Sequence, residues 1–100
     1  MQRDGTRILN KQKVARARNL LLRLIHMERE LKPNEIALNR ITAENKLRRQ
    51  DITRREFDCA LQQMVLEGII IELGKQSMLF LLTEFGHLYI FHDEFQISCE

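Results

Sequence analysis

The chain has 100 residues, enough for one domain with a single core and too few for an elaborate active site. Apolar residues make up 44% of it, which marks a folding chain rather than a disordered one, and the net charge is only +2. That small total hides a strong asymmetry: up to residue 55 there are fifteen basic against six acidic residues, a net +9, and beyond it one basic against eight acidic, a net −7. A clustered positive field of this kind recruits polyanions whatever the total charge.

The opening stretch, residues 1–10, shows no periodicity. Arg3 and Arg7 make it a flexible basic arm, and together with Lys11 and Lys13 they either embrace DNA or are simply solvated. It has no apolar stretch of the kind a secretory signal needs, and no run elsewhere is long enough to span a bilayer. The expected location is therefore cytoplasmic, without a membrane. Two cysteines forty positions apart, Cys59 and Cys99, form no framework and read as free thiols in a reducing compartment.

From Lys11 a helical pattern sets in. Val14, Ala17, Leu20, Leu21, Leu24, Met27 and Leu31 recur at three- and four-residue steps, predicting a first helix that ends near Leu31, because Pro33 pushes Lys32 out of helical geometry. Pro33 is well placed to open a second helix, with Glu35 in its first turn and Ile36, Ala37 and Ile41 on its apolar face. Beyond Ile41 two readings stand: a fresh turn capped by Thr42, or continuation to Leu47. Most of the polar, basic stretch from Asn45 to Asp51 reads as a connector. A third helix starts after Thr53, whose spacing to Glu56 is that of a capping box. Phe57, Ala60, Leu61, Met64 and Val65 share one face, and Gly68 ends the helix.

After Gly68 the texture changes. The β-branched run Ile69–Ile71 and the run Met78–Leu82 flank the turn Gly74-Lys75-Gln76-Ser77, a hairpin pattern. Thr83 then caps a last helix through Phe91, with strand as the alternative for Tyr89, Ile90 and Phe91. Residues 93–100 read as a C-terminal tail.

Two motifs give this order a family likeness. Met64-Val65-Leu66-Glu67-Gly68-Ile69-Ile70 is similar to the exit of many recognition helices into a wing, and Phe80-Leu81-Leu82-Thr83-Glu84-Phe85-Gly86 to the lead-in of the helix that follows. Taken with the helices before them, residues 14–91, within a domain expected over 11–92, resemble the winged helix-turn-helix domain of small DNA-binding regulators. The link between the second and third helices departs from that pattern, being long and lacking the usual Gly turn. The resemblance implies an α+β, mostly helical fold: a three-helix core, a two-stranded wing and a C-terminal helix.

It also implies sequence-specific binding of double-stranded DNA and a role in transcription regulation, with helix 53–68 in the major groove and the 69–82 hairpin as wing. The candidate base contacts are Arg54, Arg55, Asp58 and Gln62, since Arg pairs with guanine and Gln with adenine. The candidate phosphate contacts are Arg48, Arg49, Thr53 and Lys75. Four arginines at a helix N-terminus oppose its dipole, and a phosphate would offset that, although pairing with Asp51 or Asp58 is a competing account.

A winged-helix module that binds proteins rather than DNA is the main alternative, and structured RNA a third. The apolar segment Leu88–Phe91 with Phe95 suggests a homodimer through the first and last helices, unless it simply covers the core. No cofactor or metal is expected: His87, His92, Asp93 and Cys99 fit no tight ligand set. No catalytic motif is present, and neither Ser77 nor Ser98 has a nucleophile context, so the chain does not read as an enzyme.

Overall fold

The computed structural model describes residues 10–74 and 78–92. Within them the chain forms a mostly helical α+β fold of four helices and one three-stranded antiparallel sheet. The arm before residue 10, the turn residues Lys75, Gln76 and Ser77, and the tail 93–100 with Asp93, Phe95, Ser98 and Cys99 lie outside the described residues.

Helix α1 (Lys11–His26) starts where its polar cap allows: the Asn10 side chain accepts from the amides of Gln12 and Lys13 at 3.0 and 3.2 Å. It stops five residues before Leu31, however. Residues 28–35 fold into successive turns, in which the Glu28 amide bonds Ile25 O, Leu31 bonds Glu28 O, and Asn34 takes a left-handed conformation at φ 71°. The buried set is Val14, Ala17, Leu21, Leu22 and Ile25. Leu22 and Ile25 were not in the expected stripe, and Met27, which was, is 72% exposed.

Residues 36–39 are a strand, β1 (Ile36–Asn39), and not the face of a proline-led helix. The partner that captures them is remote in sequence. The Asn34 amide bonds Leu82 O at 2.7 Å, Leu82 returns a bond to Glu35 O at 2.9 Å, and the Arg40 amide reaches Met78 O at 2.6 Å. Helix α2 (Arg40–Arg48) begins only after Asn39, which caps the amides of Ile41 and Thr42. Ile41, expected on an apolar face, is 54% exposed; Ala43 and Leu47 are the buried positions.

The connector is correspondingly shorter than expected. Residues 49–53 link α2 to α3, and Asp51, at φ 65°, supplies the left-handed turn that a glycine would usually make. The amides of Gln50 and Ile52 both bond Leu47 O, which turns Ile52 into the core.

Helix α3 (Arg54–Leu66) has the full capping box: Thr53 Oγ1 accepts from the Glu56 amide at 3.2 Å, and the Glu56 carboxylate accepts from the Thr53 amide at 2.9 Å. That pairing is why Glu56 tolerates burial. Gly68 closes the helix at φ 80°. Strands β2 (Ile70–Glu72) and β3 (Leu79–Leu82) pair as the hairpin pattern predicts. The sheet nevertheless has three strands, in the order β1-β3-β2, rather than two. Helix α4 (Glu84–Phe91) is capped by Thr83, whose hydroxyl accepts from the Gly86 amide at 2.8 Å.

Helix α1 packs most extensively on α3 and also touches α4 and α2. Leu21, Phe57, Leu61, Met64, Ile70, Phe80 and Leu82 fill the centre. Arg18 ties three helices at their edge, donating to Glu67 at 2.7 Å and to the Tyr89 hydroxyl at 3.3 Å. Ile90 is buried, and Tyr89 and Phe91 pack partly against the core, so much of the terminal apolar segment is used within one chain. The outer face of the sheet is unusual. Ile36, Leu81 and Ile71 stand side by side across the three strands, at positions that are polar in most sheets with one solvated face. Among the described residues no helix is long and apolar enough to cross a membrane.

Candidate nucleic-acid interface

The arginines around the start of α3 are held by the elements just described. Asp51 and Ile52 turn the chain so that the C-terminal end of α2 and the N-terminal end of α3 lie beside each other. Glu44, on α2, sits between them: its carboxylate is 3.1 Å from Arg48 Nη2 and 3.9 Å from Arg54 Nε. Glu44 and the capping Glu56 thus supply the negative charge that offsets the cluster at the helix end. The expected local partners, Asp51 and Asp58, do not.

Asp51 is engaged elsewhere. Lys13 donates to its carboxylate at 2.9 Å and to its carbonyl at 3.2 Å, and Arg16 donates to Gln50 O at 2.6 Å. Helix α1 thereby pins the turn that sets α3 against α2. The hydrogen bond from Lys13, and then its charge, hold the Asp51 carboxyl below the ordinary carboxylate range; the same bond raises the Lys13 ammonium.

Asp58 is also taken. Arg40 Nη1 lies 2.6 Å from its Oδ1, and the guanidinium stands 5.7 Å from the centre of the Phe57 ring. Of the four candidate base contacts, Asp58 is thus engaged within the chain, while Arg54 has only the Glu44 carboxylate, at 3.9 Å, as an ion-pair partner among the described residues. The Thr53 hydroxyl is committed as an acceptor in the cap, although its own proton is free to donate. Lys75 lies outside the described residues.

Arg55 and Gln62 are exposed and have no side-chain partner among the described residues; the same is true of Arg49. Seven residues apart on α3, Arg55 and Gln62 fall on one side of the helix, about 10 Å from each other along its axis. Leu66, four residues further and 76% exposed, continues that line. Arg48 and Arg54, joined through Glu44, stand at its N-terminal end, whereas Arg49 lies on the α1 side of α2, near Leu20 and Gln50. The side chains that make this arrangement, Arg40, Glu44, Lys13 and Arg16, were not among the expected site residues. Each acts across a gap of ten to thirty-eight positions that no local pattern reveals.

At the other end of the molecule His87 and His92 have ring centres 5.0 Å apart, and Phe91 stands between His87 and His26, at 5.1 and 5.6 Å. The arrangement is an aromatic stack, with the three rings of His26, Phe91 and His87 side by side. Cys59 is a half-buried free thiol. Compared with known proteins, the chain matches no family model, no curated relative and no solved structure.

Proposed function

We propose that this chain is a winged helix-turn-helix domain that binds double-stranded DNA and regulates transcription. In this reading α3 lies in the major groove and the β2–β3 hairpin is the wing. The observation that carries it is the exposed side of α3. Arg55 and Gln62 stand there with no side-chain partner among the described residues, and Arg48 and Arg54 meet at Glu44 beside the N-terminal end of the helix. The short α2–α3 link supports the same reading, since a helix-turn-helix joins its two helices by a short turn, and the β2–β3 hairpin follows α3 where a wing would stand.

The roles divide by chemistry. Arg55, with Arg54 beside it, suits the O6 and N7 acceptors of guanine, and Gln62 suits adenine. Arg48 and Arg49 neutralise phosphates, and Thr53 donates its hydroxyl proton to one. Asp58 does not read bases: Arg40 withdraws it. Two copies pair through α1 and α4, where Phe85 and Leu88 are each 51% exposed.

Selection from random duplex DNA with the purified protein tests this. A recovered site in two halves, lost in the double variant Arg55→Ala, Gln62→Ala, is the expected result. Recovery of no enriched duplex, or preference for structured RNA in a parallel selection, contradicts it.

A further inference from the structure

Beside its buried row, α1 carries a second apolar row. Leu20, Leu24 and Met27 recur at steps of four and three; the first two are only partly covered and Met27 stands 72% exposed. Between this row and α2 lie two adjoining depressions of about 290 and 340 Å³ that share Leu24 and Lys46. The first runs on to Leu31 and to Ile36 at the edge of the sheet, and the second ends against Arg49. The result is one groove with an apolar floor.

Its rim is basic. Lys46 and Arg49 border it on α2, and neither has a side-chain partner among the described residues. Arg23, three residues after Leu20 and four before Met27, shares that side of α1 and is likewise unpaired among them. Glu28 is the one acidic residue on the lining.

We propose that this groove binds an amphipathic helix with acidic flanks, supplied by a partner protein. An apolar row at helical spacing accepts apolar side chains from a second helix laid along it, and the rim selects the charge of that helix. The same rim argues against a second copy of this chain seated symmetrically, because each copy would then bring its own basic rim to the basic rim of the other. Duplex DNA satisfies the rim and leaves the floor exposed. Arg49 belongs both to this rim and to the phosphate contacts, so an acidic helix and DNA exclude each other. That last consequence rests on the DNA-binding reading; the groove does not.

The probe is a synthetic helix of about 18 residues, with leucines at three- and four-residue steps and glutamates beside them, and a control with lysine for every glutamate. Fluorescence anisotropy against the full chain is expected to show binding of the acidic helix, with the lysine version at least tenfold weaker. Met27→Glu and Lys46→Glu should each weaken the acidic helix about tenfold. Both positions are exposed, circular dichroism verifies that the variants fold, and their duplex affinity serves as the internal control for Met27→Glu. Equal affinity for the two peptides, or no loss in either variant, overturns the proposal. Acidic-helix binding that duplex DNA fails to displace leaves the groove standing and removes Arg49 from the DNA site. Duplex binding without peptide binding removes the groove alone.

Discussion

Gly86 sits where α4 crosses the start of β2. A Cβ at this position would lie 2.1 Å from the carbonyl oxygen of Ile69, a backbone atom that cannot step aside because it already accepts from the Thr83 amide at 3.1 Å. The glycine that weakens α4 as a helix is thus the residue that lets it dock. Gly86→Ala should cost about 1–3 kcal/mol in urea unfolding, where alanine in an exposed helix would stabilise. Asp58 gives a sharper functional test. If Arg40 withdraws it from DNA, Asp58→Asn removes a negative charge from the binding side and duplex affinity rises or holds; a loss of affinity with altered sequence preference would return Asp58 to the base contacts. Asp51 and Lys13 carry a pH signature. The Asp51 pKa is lowered, so its contribution to stability is present above the ordinary carboxyl value and is lost as pH falls through the lowered folded value. The Lys13 pKa is raised, so its contribution is present below the ordinary lysine value and is lost as pH rises through the folded one. In Lys13→Met, an NMR titration should show the Asp51 carboxyl moving back up toward its ordinary range.

At the scale of elements, the legible parts of the fold are those whose chemistry is local. Thr53 and Glu56 lie three positions apart and cap each other; Gly68 stops the helix they begin; Thr83 caps the next one. Each signal and its effect fit within one turn of chain. Strand β1 is different. It is four residues long, follows a proline that would suit a helix, and owes its conformation to bonds with Leu82 and Met78, some forty positions away. The same non-locality hid half of the candidate site. The arginines at the start of α3 were legible as a cluster, and the Glu44–Arg48 pair has the local i,i+4 spacing, whereas the contacts of Glu44 with Arg54 and of Arg40 with Asp58 form only across the α2–α3 turn. Asp51 in a left-handed conformation is a third case, since its polar side chain does what a glycine does elsewhere. Caps can be ranked by how much they hold. Thr53→Ala should cost about 1 kcal/mol, the usual worth of a helix cap. Thr83→Ala should cost about 2 kcal/mol in the same unfolding assay, because its hydroxyl also donates to the carbonyls of Gly68 and Ile69 and so joins α4 to the exit of α3.

Across the whole molecule, the division into a basic front and an acidic back is partly neutralised by folding. Arg18 meets Glu67, Arg40 meets Asp58, and Lys13 and Arg16 are spent on the α2–α3 turn. Among the described residues, positive charge without a side-chain partner survives in Lys11, Arg23, Arg29 and Lys32 as well as in Lys46, Arg49 and Arg55, and the last three lie on or next to α2 and in the first turn of α3. This surviving charge, rather than the total, is what a polyanion would meet. The proposed pairing through α4 is tested separately: if two copies associate there, Leu88→Glu should sediment as a monomer while leaving the α3 surface intact. The central claim, that the exposed side of α3 and the cations at its N-terminal end hold duplex DNA, is tested most directly by the salt dependence of duplex affinity. With Arg48 and Arg49 each neutralising a phosphate, log affinity should fall against log salt with a slope of about −2 per protomer. Arg49→Ala should reduce that slope by about one unit. A slope near zero, or one unchanged in Arg49→Ala, would contradict the account.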